Sequence, residues 1–267
     1  MKPSVLLTGA SSGIGAATAA HLLREGFRVF GTSRNPDEAR KANPDVDWIA
    51  MDVCDDASVE KGVAEALEQT RRLEGVVCNA GFGIFGSVEE VTLEQARAQL
   101  ETNFFGVLRV VRAVIPHFRV TENGRLVLIG SLAGRSPIPF QAHYSASKAA
   151  VDALALALRN ELHGTGVWVS LVEPGDIDTP FNEAMDWGEH DGSPYGERLA
   201  STERVIRASL PRAPGPGVVA QAVHHALTST PPRVRYAVGA ESTLVPLSRR
   251  LLPDWLTLRL IRSHFGF

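Results

Sequence analysis

The sequence predicts an α/β fold: a doubly wound parallel sheet of about seven strands between two layers of helices. Three observations carry this. Within about the first thirty residues the chain reads strand, glycine turn, helix, strand, the order of a βαβ unit. From there to Val238, short apolar runs keep alternating with helix-forming stretches. At 267 residues, 44% apolar and 21% charged, the chain suits one soluble α/β domain with a substantial core.

Composition narrows the function. A net charge of -3 gives no reason to expect nucleic-acid binding. Cys54 and Cys78 lack metal-ligand spacing, so neither a disulfide framework nor a metal site is expected. The apolar run after Met1 is too short for a signal peptide, and no stretch reaches the ~20 apolar residues that span a bilayer. The expected location is cytoplasmic.

Val5–Leu7, bounded by Pro3 and Gly9, reads as a strand buried on both faces. Thr8 to Gly15 form the turn, Ala16 to Glu25 a helix stopped at Gly26, and Phe27 to Thr32 the second strand. Glycines between a first strand and a first helix let backbone approach a pyrophosphate, whose charge meets the helix N-terminal amides. A tight turn without a ligand is the plainer alternative. The second strand ends at Ser33, where a carboxylate would accept from ribose hydroxyls and select NAD. Arg34 follows instead, and a guanidinium pairs with a phosphate, so NADP(H) is expected over NAD(H). Position 12 is Ser, not a second cation, and Arg34 as a solvated loop charge is the alternative.

Val46 to Met51 is a third strand, with Asp52 and Val53 at its carboxyl end, where open α/β sheets bind ligands. A helical stretch from Ala57 to Arg72 leads to the strand Gly75–Cys78. Thr92 to Phe118 reads as one helix, opened by a capping box of Thr92 and Gln95 and closed near Pro116. Asn103 is anomalous inside it, because its amide competes for backbone hydrogen bonds. A capping or core-satisfying Asn would explain it equally well. Arg125 to Gly130 is the most apolar strand, and Ser131 stands at its end. A nucleophile elbow is not formed, and His143 has no acidic orienter, so a hydrolase is disfavoured.

Tyr144 and Lys148 precede the helical run Val151–Leu158; four residues apart on one helix, they share a face. An ammonium there favours phenolate, lowering the tyrosine pKa and making it usable as an acid or base. Taken alone, this spacing occurs by chance on many helices. Val167 to Val172 is a further strand, followed by Pro174, Gly175, Ile177 and Thr179. From about 180 to 216 the composition loosens into a long irregular insert with Phe181, Trp187 and Tyr195. Val218 to Leu227 reads as helix and Arg233 to Val238 as the last strand. The tail from about 240 to 267 mixes Leu, Trp and Phe with Arg249, Arg250, Arg259 and Arg262, and Pro246 and Pro253 divide it into short helical pieces. It could dock beside the site, join a subunit interface or lie on a membrane surface; the first two are the plainer expectations.

Thr8-Gly9-x-x-x-Gly13-x-Gly15, Asn79-Ala80-Gly81, Ser131, Tyr144-x-x-x-Lys148 and Pro174-Gly175-x-x-x-Thr179 together resemble the short-chain dehydrogenase/reductase family in its small single-domain, Rossmann-type form. The matches span about two thirds of the chain; Cys78 departs from the pattern, standing where a second Asn is common. The resemblance implies reversible hydride transfer between NADP(H) and a carbonyl or secondary alcohol. It makes Tyr144 the proton donor, Ser131 the partner of the substrate oxygen, and Lys148 the residue that tunes Tyr144 and holds the nicotinamide ribose. Asn103 would support a water relay to the lysine. Gly9, Ser11, Ser12, Gly13, Ile14 and Gly15 would hold the pyrophosphate, with Asp52 and Val53 at the adenine. Asn79 would tie neighbouring strands, placing Ala80 and Gly81 near the cofactor, and Pro174, Gly175, Ile177 and Thr179 would contact the nicotinamide end. The insert would be a substrate lid. With the tail, it suggests an apolar steroid-, retinoid- or lipid-like carbonyl, and the resemblance implies a homo-oligomer, dimer or tetramer. A redox sensor that binds the cofactor without turnover predicts decay of the Ser131–Tyr144–Lys148 set, which is intact. A sugar-nucleotide epimerase predicts a different glycine spacing and a longer substrate domain.

Overall fold

The computed structural model describes residues 2–267 apart from 71, 189–190, 240–241, 243–244, 247–248 and 250. Seven strands, β1 (Ser4–Leu7), β2 (Arg28–Ser33), β3 (Asp47–Ala50), β4 (Leu73–Cys78), β5 (Gly124–Ile129), β6 (Val167–Pro174) and β7 (Arg235–Val238), form one parallel sheet in the order β3-β2-β1-β4-β5-β6-β7. The chain winds outward in one direction from β1 to β3, then returns to pair β4 against the other side of β1. That reversal opens a crevice beyond the carboxyl ends of β1 and β4, the place where doubly wound sheets take ligands.

Helices cover both faces. One side is built from α3 (Asp56–Gln69), α5 (Gly106–Thr121) and α6 (Ala142–Glu161), and the other from α1 (Gly13–Arg24) and α8 (Gly217–Thr228). The strand period of two divides the side chains between them: Leu6 packs on the first side, Val5 and Leu7 on the second. Strands buried on both faces explain why these segments read as unbroken apolar runs.

The helices depart from expectation in three places. A short helix α2 (Pro36–Ala42) follows β2, with Asn35 accepting from the Glu38 amide and Pro36 opening the first turn. The single helix expected from Thr92 to Phe118 is α4 (Leu93–Leu100), a π-helical turn (Glu101–Phe105) and α5, which runs through Pro116 to Thr121. The buried Val114 and Phe118 on either side of Pro116 hold that helix in place. The insert is not irregular throughout: α7 (Gly196–Ser209) buries Leu199 and Thr202 and carries an Arg207–Glu203 pair at 2.6 Å. Gly- and Pro-rich flanks conceal a segment of good helix formers.

In the tail, α9 (Asp254–Phe265) begins after Pro253 and lies against α7, where Ser201 Oγ donates to the Phe265 carbonyl at 2.7 Å. Leu244 and Arg250 lie outside the described residues.

Candidate active site

The turn after β1 is shaped for close approach. Gly9 has φ +63°, and a Cβ there would sit 2.9 Å from Ala80 Cα. A Cβ on Gly15 would lie 2.0 Å from the Gly9 carbonyl oxygen. The Asn79 amide braces the turn from the next strand, donating to the Thr8 and Gly9 carbonyls at 3.1 and 3.0 Å. Thr8 Oγ1 in return accepts from the Asn79 and Ala80 amides at 3.0 and 3.1 Å. At Ser12 the first turn of α1 opens without a side-chain cap and without an acidic residue. Its amides therefore remain available to an anion, and the cradle fits a dinucleotide pyrophosphate.

A cleft of about 790 Å³ runs from this turn across the ends of β4, β5 and β6. Of the catalytic and cofactor-contacting candidates from the sequence, all but Gly15 and Asn103 line it. Arg34, exposed, stands beside Ser33 at one end. Asp52 shapes the wall there, accepting from the Cys54 amide at 2.9 Å while its own amide donates to Ser58 Oγ at 2.9 Å. Ile177 is buried, and Thr179 faces Gly13 across the cleft.

Ser131, Tyr144 and Lys148 meet midway. Ser131 caps the short turn after β5, its Oγ accepting from the Ala133 amide at 3.1 Å, which leaves the hydroxyl proton to donate. Tyr144 and Lys148 project from α6, the ammonium 5.8 Å from the phenol ring centre. Lys148 is buried and donates to the Ile129 carbonyl at 2.9 Å. Burial pulls its pKa down to about 8. Burial also raises the Tyr144 phenol above its ordinary value, while a hydrogen bond with Ser131 acts in the opposite direction. The acidifying partner in this structure is thus Ser131, and desolvation outweighs it, so the phenol is raised rather than lowered as expected from Lys148.

Asn103 lies behind the cleft, fully buried in the π-helical turn. Its Oδ1 accepts from the Phe82 amide, and its Nδ2 donates to the Phe82 carbonyl and to Ser147 Oγ, each at 3.0 Å. Both amide donors are spent, so Asn103 can offer a relay water only an acceptor. The extra residue of a π turn reconciles this inward-facing Asn with continuous helices on either side.

Sequence reasoning named Phe181, Trp187 and Tyr195 in the insert but missed Gln141, Phe85, Phe140 and Met185 on the far wall. Gln141, buried and one turn before Tyr144, donates to Met185 Sδ at 3.6 Å. Phe181 stacks against Tyr144 with ring centres 5.8 Å apart. Behind them Phe85 packs with Phe140 and Trp187 at 6.0 and 5.0 Å, and Phe140 with Tyr195 at 6.2 Å. Phe140 holds φ +61°, an unusual backbone conformation for an aromatic residue. The only advance signal was the aromatic content of the insert.

A nucleotide cradle facing a tyrosine, a serine and a buried lysine is what hydride exchange with a carbonyl requires, and it defines a dinucleotide-dependent oxidoreductase. The profile of the short chain dehydrogenase family matches residues 3–189. The chain is 34% identical to a 3-ketodihydrosphingosine reductase of Bacteroides thetaiotaomicron, over 100% of this chain and 99% of that one. A short-chain dehydrogenase from Streptomyces avermitilis superposes with a TM-score of 0.83 at 31% identity, over 97% and 95% of the two chains. A short-chain dehydrogenase/reductase from Burkholderia phymatum, solved in complex with NAD, gives 0.79 at 25%, over 97% and 95%. The protein belongs to the short-chain dehydrogenase/reductase family, and is an NAD(P)-dependent dehydrogenase or reductase acting on a CH–OH/C=O pair.

Proposed function

We propose that the protein interconverts an apolar, lipid-like ketone or aldehyde and its alcohol, using NADP(H) in preference to NAD(H). The observation that carries the substrate class is the aromatic wall: Phe181 and Met185 line the cleft beside Tyr144, backed by Phe85, Phe140 and Trp187. Such a wall stabilises apolar substrate surface and leaves a sugar's hydroxyls unpaired. The named activity of the Bacteroides relative, on a long-chain keto lipid, agrees with it.

The bound nicotinamide supplies or accepts the hydride. In the reductive direction Tyr144 gives its phenolic proton to the carbonyl oxygen. Ser131 turns its hydroxyl proton from Tyr144 to that oxygen and stabilises its developing charge. Lys148, already desolvated at the Ile129 carbonyl, orients the ribose and favours the tyrosinate left behind. Asn103 keeps the Phe82 backbone and Ser147 in register behind the lysine and offers an acceptor to the water that returns the proton. Arg34 meets the 2′-phosphate at the mouth of the cleft. The residues from about 180 to 216, including α7, act as the substrate lid.

The test is a panel of long-chain, steroid and small polar carbonyls, each run with both cofactors. The highest kcat/KM is expected for an apolar substrate with NADPH, and Arg34→Ala should raise KM chiefly for NADPH. A small keto acid or sugar as best substrate would overturn the substrate class. Equal or better kinetics with NADH would overturn the cofactor preference.

A further inference from the structure

The inner side of α9 is secured. Thr257 and Phe265 are buried, and Ser201 of α7 holds the Phe265 carbonyl. Its outer side is different. Trp255 and Leu258 are 64 and 54% exposed, and Leu251, just before the helix, is 74% exposed. Arg259 and Arg262, also exposed, stand among them, and 255, 258, 259 and 262 recur at the spacing of one helix side. Large apolar side chains gathered on one exposed segment mark an interaction surface rather than ordinary scatter.

The chemistry of this surface selects its partner. Trp with Leu suits the boundary between headgroups and acyl chains. Arginines beside them lay their stems along apolar surface and their guanidinium groups among phosphates. The charge is local: the whole chain is -3, while the segment from 249 to 267 carries Arg249, Arg250, Arg259 and Arg262 against Asp254. A symmetric contact with a second copy would bring Arg259 and Arg262 near their own counterparts, with Asp254 as the acidic offset on the helix. No helix among the described residues is long and apolar enough to cross a membrane. The twelve residues of α9 span about 18 Å, the length of a helix that lies in the interface plane.

We propose that α9 docks the protein on an anionic lipid surface, with Trp255 and Leu258 at the acyl boundary and Arg259 and Arg262 on lipid phosphates. Because α9 is braced on α7, and Ile206 of α7 lines the cleft, the docked helix sits one helix away from the catalytic cleft. The docking does not depend on the substrate class, since binding can be measured on Tyr144→Phe protein, whose turnover is expected to be greatly reduced.

The experiment is sedimentation of the full chain with vesicles of phosphatidylcholine alone and of phosphatidylcholine mixed with phosphatidylglycerol, at low and high salt. Binding to the mixed vesicles should exceed binding to the neutral ones by about tenfold at low salt and fall as salt rises. Tryptophan emission should shift to the blue on binding, and the shift should be absent in Trp255→Phe. Arg259→Gln and Arg262→Gln should each weaken binding by about fivefold. Leu258→Asp should abolish it with an unchanged melting temperature. Equal affinity for both vesicles, or undiminished binding by Leu258→Asp, overturns the proposal. So does a dimer in sedimentation velocity that Leu258→Asp dissociates, which would assign the face to a second copy. Vesicle binding that persists when no apolar carbonyl is turned over leaves the docking standing and removes only the substrate reading.

Discussion

Lys148 lies one turn beyond Tyr144 on α6, its ammonium 5.8 Å from the phenol ring centre, yet it spends a hydrogen bond on the Ile129 carbonyl at 2.9 Å. The lysine is held from behind by the sheet, so its position does not depend on the tyrosine hydroxyl. Replacing Tyr144 by Phe should therefore leave the cleft and dinucleotide binding intact while lowering kcat by about 10³ to 10⁴-fold. Cofactor titration by fluorescence beside steady-state turnover checks this. Turnover within tenfold of the wild type would remove Tyr144 from the chemistry.

Burial of Lys148 makes a prediction about stability and pH. Its folded-state pKa, about 8, lies below the ordinary 10.5, so the unfolded chain binds the extra proton more readily in that window. The contribution is fully destabilising below about pH 8 and fades as the pH rises through 10.5, above which the group is neutral in both states. Lys148→Met should raise the stability of the cofactor-free protein at pH 7 by about 3 kcal/mol at most, with the advantage narrowing through that window. Denaturant melts of both proteins at pH 7, 9 and 10.5 measure it. A gap that widens with pH would contradict the assignment.

Gly15 tests the cradle. Its missing Cβ would lie 2.0 Å from the Gly9 oxygen, a contact that only movement of the turn can relieve. Gly15→Ala should cost about 3 kcal/mol, lower the melting temperature by about 6 °C and weaken dinucleotide binding in parallel. Unchanged affinity in a folded variant would show that the turn does not hold the pyrophosphate.

Asn103→Ala leaves the Phe82 amide without its buried acceptor, a loss of about 3 kcal/mol with the cavity included. If Asn103 also offers an acceptor to a relay water, kcat per folded molecule should fall, and its solvent isotope effect should change. A stability loss with kcat unaltered would confine Asn103 to a structural role.

Much of this was legible in the sequence for definite reasons. Strands such as Val5–Leu7 are apolar on both faces, and the turn from Thr8 to Gly15 carries glycines where the backbone tolerates no Cβ, so the opening βαβ unit is readable. Tyr144 and Lys148 are neighbours through helical spacing alone. The misses have physical causes as well. The π turn at Asn103 is set by hydrogen bonds to Phe82 and Ser147, 21 and 44 residues away. The aromatic wall joins Phe85, Phe140 and Tyr195 from separate loops, and no local period marks such a contact. The raised Tyr144 pKa follows from burial, which spacing does not reveal. By contrast, α2 has a cap, a Pro at its first position and charges suited to both ends, all of them visible in the sequence.

The buried members of the outer cluster, Phe85, Met185 and Leu199, belong to neither packed face of the sheet. Among the described residues, Met185 and the half-buried Phe181 of this cluster line the cleft, apart from the two cores that pack on the sheet. A gene of this kind can drift toward new substrates by rewriting a few loop aromatics while its folding free energy stays nearly constant. In a library varying Phe181, half-buried and lining the cleft, substrate range and melting temperature should therefore be uncorrelated, leaving one scaffold free to diversify.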